Sequence, residues 1–342
     1  MSLTKKPSLM ATPAEIDLDE QGRLKAPNGV PVPVNRVADH LACTIPLPSW
    51  ATDIHVWVHG WQTPSAQATK VAVELLGRAR ELYAANPDRY PGLRTGYQPW
   101  CVVVRWPSSS RSKLKRGYER IRDRAHAMSA DGKGHAPYVI GHLLGYLDGE
   151  RSDPQAPAVL AGKSGQYLHL MGHSFGGRFL CEAVQRAAEP PPTLAWSTPH
   201  DPRRPFTVDS MLIFQMAAPR NAFTTHFETL FPTDDHPGAP LRGPIALTHS
   251  RWDRATGYWH LRAEKATGIG HSGASSAPVE PFSTELLPID AIYPQLALDN
   301  RLVNVNADWL YRGTRLNPVG AHSDYRHPES SHLLLTLAER SR

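Results

Sequence analysis

Apolar positions along the chain gather in short continuous runs, separated by segments with helical spacing. Residues 53–59, DIHVWVH, form the first convincing strand pattern. Residues 100–106, WCVVVRW, form the second, a run typical of a parallel strand covered on both faces. Between them Thr63 suits a helix N-cap and Pro64 the first helical position. Apolar residues then recur at 68, 71, 72, 75, 76, 79, 82 and 83, which is one face of a helix. Further strands are expected at 168–171, 210–217, 245–248 and 301–306. Helices are expected at 137–147, 175–188 and 254–267, with a closing helix through Leu333 to Leu337. Residues 30–45 read as one or two irregular edge strands, because prolines at 31, 33, 46 and 48 argue against a central one.

Strands that alternate with helices predict an α/β fold with a mostly parallel central sheet and helices on both faces. Residues 1–28 are polar and Pro-containing and read as a flexible N-terminal arm, leaving 29–342 as a single domain. Residues 107–164 are the least regular part and read as an insertion. Its basic stretch, with Arg111, Lys113, Lys115, Arg116, Arg120, Arg122 and Arg124, suits the solvated face of a helix better than an anionic head-group site.

Composition narrows the function classes. A chain of 342 residues with 41% hydrophobic and 20% charged residues can bury a core without disulfides or a structural metal. The net charge of +5 is mild for this length and predicts no nucleic-acid partner. Cys43, Cys101 and Cys181 are odd in number and far apart, so they suggest neither a disulfide framework nor a zinc site. The seventeen histidines include no HExxH, and no metal or cofactor is expected. The first residues lack an apolar core of signal-peptide length, and no stretch reaches 18 apolar residues. A cytoplasmic location is the resulting expectation.

The chemistry concentrates in Gly172-His173-Ser174-Phe175-Gly176, which fits G-x-S-x-G. It follows the apolar run 168–171 directly and precedes a helical pattern. Such a strand, sharp turn and helix lift the serine hydroxyl clear of the sheet. The helix start helps to hold a developing oxyanion. Gly162-Lys163-Ser164 hints at a phosphate loop, but Pro157 stands where that loop needs a glycine.

Ligands of open α/β sheets sit beyond the carboxyl ends of the strands. The residues there are Gly60-Trp61, Trp106-Pro107, His173-Ser174, Ala218-Pro219, Asp253 and His322. A serine, an acid and a histidine occur in that order. VWVHGW, GHSFGG, LTHSRWD and GAHSDY resemble an α/β-hydrolase, and the middle of the chain is similar to a poorly characterised bacterial branch of that superfamily.

The resemblance implies Ser174 as nucleophile, His322 as general base and Asp253 as the residue that orients the imidazole. It also implies an oxyanion hole from the backbone N–H groups of Trp61 and Phe175. His271, His260 and His327 compete with His322, and Asp209, Asp234, Asp235 and Asp324 compete with Asp253; loop position favours His322 and Asp253. Asp209 precedes its strand, and Asp324 suits a hydrogen bond within the histidine loop. His59 is expected to shape the oxyanion loop, and His173 to pack. Gly60, Trp106 and Trp252 are candidates for the substrate pocket, the tryptophans together with Trp61 meeting at its rim. The implied activity is hydrolysis of a small-molecule or lipid ester, carboxylesterase-like or lipase-like, through an acyl-enzyme. A thioesterase or amidase would use the same residues, and a non-catalytic binding relative is the alternative of another class. The 107–164 insertion is expected to shape the substrate entrance, and peripheral membrane contact stays open.

Overall fold

The computed structural model describes residues 11–94, 96–110, 115–129, 133–151, 165–186, 207–234, 238–314 and 316–342. The first strands come from the segment expected to be a loose arm. β1 (Ala14–Leu18) runs parallel to β4 (Pro99–Arg105), and β2 (Leu24–Lys25) pairs antiparallel with β1. Ile16, Leu18 and Leu24 are buried, so residues 14–25 extend the sheet rather than float. The expectation for 30–45 also changes: α1 (Val37–Thr44) lies between the prolines and buries Val37 and Leu41.

β3 (Asp53–Val58), β5 (Tyr167–His173), β6 (Ser210–Phe214), β7 (Ile245–His249), β8 (Phe282–Glu285) and β9 (Leu302–Asn306) complete a nine-stranded sheet. The order is β2-β1-β4-β3-β5-β6-β7-β9-β8, and every pairing except β1 with β2 is parallel. Strand residues alternate between two cores, as the period of a strand requires. Val56, Val58, Leu168, Leu170 and Ile213 face one, with α1, α3 (Lys115–Met128), α4 (Ala136–Glu150) and α5 (Phe175–Arg186). Trp57, Met171, Phe214 and Val305 face the other, with α2 (Ser65–Ala85) and the closing helix at 328–340. This is the expected α/β fold with helices on both faces, consistent with the α/β-hydrolase arrangement.

The reading of 107–164 as an insertion is corrected for α4. Eleven of its 15 residues are buried, and it packs against α5 and α1 as part of a covering layer. α3 buries Tyr118, Ile121, Ala125 and Met128. Residues 111–114 of the basic stretch and 152–164 lie outside the described residues. Among the described residues, no helix is long and apolar enough to cross a membrane. Among the described residues, the remaining short α-helices are α6 (Ala222–Thr225), α7 (His260–Glu264) and α8 (Ile269–Ser272), and the closing helix is α9 (Pro328–Arg340).

Candidate active site

β5 ends at His173, and Ser174 turns the chain into α5 with φ of 55°, a conformation that costs a side-chain-bearing residue energy. Two contacts explain the flanking glycines. A Cβ on Gly176 would lie 2.1 Å from the carbonyl oxygen of Val58, and one on Gly172 would lie 2.6 Å from Gly177 Cα. The helix can therefore press onto β3 and β5 only without those side chains.

Asp253 stands in the loop after β7. Its Oδ1 accepts from the Thr256 N–H at 3.0 Å, and Oδ2 accepts from Gln215 Nε2 at 3.2 Å. The segment after β9 bridges this loop: Ala321 N–H donates to Trp252 O at 3.0 Å, and Arg254 N–H to Val319 O at 3.2 Å. Gly320, at φ 61°, permits that approach, since a Cβ there would lie 2.1 Å from Trp252 O.

The bridge delivers His322. Its Nδ1 lies 2.9 Å from Asp253 Oδ2 and its Nε2 lies 2.9 Å from Ser174 Oγ. An ionised carboxylate only accepts, so Nδ1 carries the proton and Nε2 is left to accept from the serine hydroxyl. All three residues are buried. A buried array of this polarity can move a proton from hydroxyl to imidazole while the carboxylate balances the resulting charge.

The neighbouring histidines are neutral parts of the frame. His173 Nε2–H donates to His322 O at 2.6 Å, and its ring packs between His322 and Tyr325. Burial, with His322 nearby, pushes its pKa well below the ordinary value. His59 accepts the Trp106 N–H at Nε2 (3.1 Å), so its proton sits on Nδ1, near Gly60 O and Ser108 Oγ. Burial pushes His59 down to about 4. Gly60 then passes so close that a Cβ would lie 2.4 Å from His173 Nδ1 and 2.7 Å from Ser174 Cβ. This sets the backbone leading into Trp61 against the serine, whose other flank is Phe175.

The expectation that three tryptophans meet at one rim is corrected. Trp61 packs edge-on against Tyr118 and, with Gln62, Asn317, Pro318, Val319, His322 and Ser323, lines a cavity of about 220 Å³. Trp106 turns inward; its indole N–H donates to His59 O at 2.6 Å and its ring stacks on His59. Trp252 is 45% exposed and lines a separate cleft of about 420 Å³ together with Gly320. Sequence position places each residue after a strand but does not say which way its ring turns.

The competing residues are engaged elsewhere. Asp209 accepts from Arg151 and from the Leu168 N–H at the opposite end of the sheet. Asp324 accepts the N–H groups of Arg312 and Gly313, at 2.9 Å each, within the histidine loop, and also approaches His327. His260 contacts Ala266 O and His271 contacts the backbone oxygen of Asp253. Asp234 is exposed, and Asp235 lies outside the described residues.

Two features carry no motif and escape a reading of the sequence. Gln215, at φ 47° just after β6, joins Asp253 to the histidine loop. A second serine–histidine–aspartate contact lies at the amino ends of the strands. There His169 touches Ser210 Oγ (2.8 Å) through Nδ1 and Asp53 (3.1 Å) through Nε2. Arg342 grips both oxygens of Asp53 at 3.0 and 2.9 Å. Burial alone would raise Asp53, but His169 and Arg342 hold it below the usual carboxylate range. With its acid neutralised by arginine, and with neither cavity described above touching it, this contact reads as structural.

No protein-family model and no curated protein matches the sequence. Among solved structures the chain is weakly similar to a metagenomic carboxyl esterase, at 14% identity and a TM-score of 0.31, over 94% of this chain and 82% of that one. It is also weakly similar to phospholipase PlaB from Legionella pneumophila, at 13% identity and a TM-score of 0.20. That match covers 56% of this chain and 30% of the phospholipase structure. Likenesses this distant leave the activity to be argued from the site itself.

Proposed function

We propose that the protein is a serine hydrolase that cleaves a carboxylic ester through an acyl-enzyme intermediate. One observation carries the reading: Ser174 Oγ, His322 and Asp253 form a continuous buried hydrogen-bonded array with 2.9 Å at both links. Ser174 Oγ attacks the ester carbonyl while His322 Nε2 takes its proton. Asp253 stabilises the imidazolium. The N–H groups of Trp61 and Phe175 receive the oxyanion. Collapse expels the alcohol, which takes its proton from His322. Water, activated by the same imidazole, then releases the acid and restores the serine.

The 220 Å³ cavity beside His322 supports a small substrate group walled by Trp61, Pro318 and Val319. The test is labelling by a fluorophosphonate probe, alongside turnover of nitrophenyl esters, thioesters and anilides. Labelling of the parent and none of Ser174→Ala is expected, with ester turnover exceeding that of the other two. Absence of labelling in the parent, or its persistence in Ser174→Ala, would sink the proposal.

A further inference from the structure

Large apolar side chains stand in water beside the candidate site. Trp252, Tyr258 and Leu261 are exposed by 45, 47 and 46%, and Leu316 by 95%. They belong to two segments that touch. Trp259 Nε1–H donates to Pro318 O at 3.1 Å, and Arg254 donates to Asn317 O at 3.3 Å. Asn317, Pro318 and Val319 also wall the cavity that reaches His322. Isolated exposed apolar residues are ordinary; these four gather on two hydrogen-bonded segments, one of which walls the cavity.

Arginines are interleaved with these apolar residues. The Arg251 guanidinium lies 5.4 Å from the Trp252 ring centre, and that of Arg262 lies 4.6 Å from the Tyr258 ring centre. Arg254 and Arg312 line the 420 Å³ cleft together with Trp252. The acids of these segments are engaged. Asp308 pairs with Arg251, Asp324 binds the backbone of residues 312 and 313, Asp253 binds His322, and Glu264 pairs with Arg122 and His126. The rim thus presents aromatic and aliphatic groups beside a basic cleft, on a chain with net charge +5.

We infer that this rim docks on an anionic lipid–water interface. Tryptophan and tyrosine suit the headgroup level, where one end of the ring is apolar and the other wet. Leucines enter the acyl boundary, and guanidiniums bind lipid phosphates. The cleft has room for a headgroup between Trp252, Arg254 and Arg312. Charge complementarity selects the occupant: Arg262 and Arg312 pair with no carboxylate among the described residues, and a neutral apolar partner would desolvate them without supplying one. The docking face is therefore the rim formed by 251–262, 312–314 and 316–318. If the proposed hydrolysis holds, its cavity opens beside the lipid layer, but docking itself needs no turnover.

The experiment is vesicle co-sedimentation of the Ser174→Ala chain, with phosphatidylcholine alone or mixed three to one with phosphatidylglycerol. Binding is expected to the mixed vesicles only and to weaken with salt. At about fivefold per arginine, Arg262→Ala/Arg312→Ala weakens it by more than tenfold. Leu261→Ser/Leu316→Ser also weakens it, and Arg120→Ala does not. On the Ser174→Ala background both double variants keep the parent's urea midpoint, which shows that they fold. The inference is overturned by no sedimentation, by equal binding to both vesicle types, or by rim variants that bind like the parent. A self-associated dimer that forms through the rim and ignores vesicles overturns it too. Because the binding assay uses an inactive chain, its failure leaves the hydrolase proposal standing, and failed labelling leaves the docking result standing.

Discussion

The side-chain nitrogen of Gln215 lies 3.2 Å from Asp253 Oδ2 and 2.9 Å from the carbonyl oxygen of Ala321. One amide thus ties the acid to the loop that carries the imidazole. The residue is fully buried, and its backbone N–H is anchored to Thr248. Gly270 packs so closely that a Cβ there would lie 2.6 Å from the Gln215 carbonyl carbon. In Gln215→Leu the carboxylate loses one donor and the histidine loop one tether. A hydrogen bond to a charged group contributes about 1.5–3 kcal/mol, so kcat on a soluble ester is expected to fall roughly 10- to 100-fold with little change in KM. An unchanged kcat in a folded Gln215→Leu protein would remove Gln215 from the site.

Asp253→Asn tests the polarity of the array. The carboxylate can only accept from His322 Nδ1, which leaves Nε2 free to accept from Ser174. An asparagine amide can donate to Nδ1 instead, which moves the ring proton to Nε2, where it cannot take the serine proton. A loss of about 10⁴ in kcat is expected, as for such substitutions in serine hydrolases generally. Equal activity of parent and variant across the pH range would show that Asp253 does not set the tautomer.

The array was legible in the sequence because each member follows a strand whose apolar run is plain. The motif around Ser174, the loop after 245–248 and the loop after 301–306 all fall on the carboxyl edge of the sheet. What could not be read is what depends on tertiary placement. β1 has only two buried residues in five and β8 has none, so neither offers an apolar run. α1 is masked by prolines that lie just outside it. Gln215 acts through a left-handed backbone and a carbonyl more than one hundred residues away. Trp106 and Trp252 both follow strands, yet one ring turns into the frame and the other into water.

Two glycines separate fold from function. A Cβ on Gly176 would collide with the Val58 carbonyl, and rigid backbone on both sides leaves no room to yield. Gly176→Ala is expected to destabilise the fold by roughly 1–3 kcal/mol, read as a lower midpoint in urea. A Cβ on Gly60 would instead push against His173 Nδ1 and Ser174 Cβ. Gly60→Ala is expected to lose most of its turnover even where its urea midpoint is close to the parent's. The reverse pattern, full activity in Gly60→Ala, would contradict the close packing of that loop on the serine.

Acid should weaken the fold through its buried imidazoles. Burial pushes His59, His142, His249 and His332 each down to about 4. An unfolded histidine titrates near 6.5, so between about pH 6.5 and 4 the unfolded chain binds more protons than the folded one. Stability therefore rises with pH in that window and falls on acidification, by up to about 1.4 kcal/mol per pH unit for each such ring. Below it, Glu264, held down to about 2 chiefly by its hydrogen bond to His126, gives a further loss as its carboxylate protonates. Melting temperature measured from pH 8 to 4 is expected to be flat with respect to these histidines above about 7 and to drop steadily below about 6.5. A melting temperature that stays constant down to pH 4.5 would mean that these rings can charge in the folded state.

Arg151 provides the complementary case, a charge that holds the fold far from the chemistry. Its buried guanidinium donates to Asp148 at 2.9 Å, to Asp209 at 2.5 Å, and to the carbonyls of Gln166 and Thr207. Asp209 in turn accepts the Leu168 N–H, so the cluster pins the start of β5 and of β6. Arg151→Met would leave two buried carboxylates without this cation, and removing one partner of a buried pair costs about 3–5 kcal/mol. Replacing the acid as well removes part of that desolvation cost, so Arg151→Met/Asp209→Leu should recover some of the lost stability. In each variant the fraction that stays folded at low temperature should keep the parent kcat, because no atom of the cluster contacts Ser174, Asp253 or His322. A kcat that falls in proportion to nothing but the folded fraction supports this division; a specific loss of kcat in fully folded Arg151→Met would show that the two ends of the sheet are coupled.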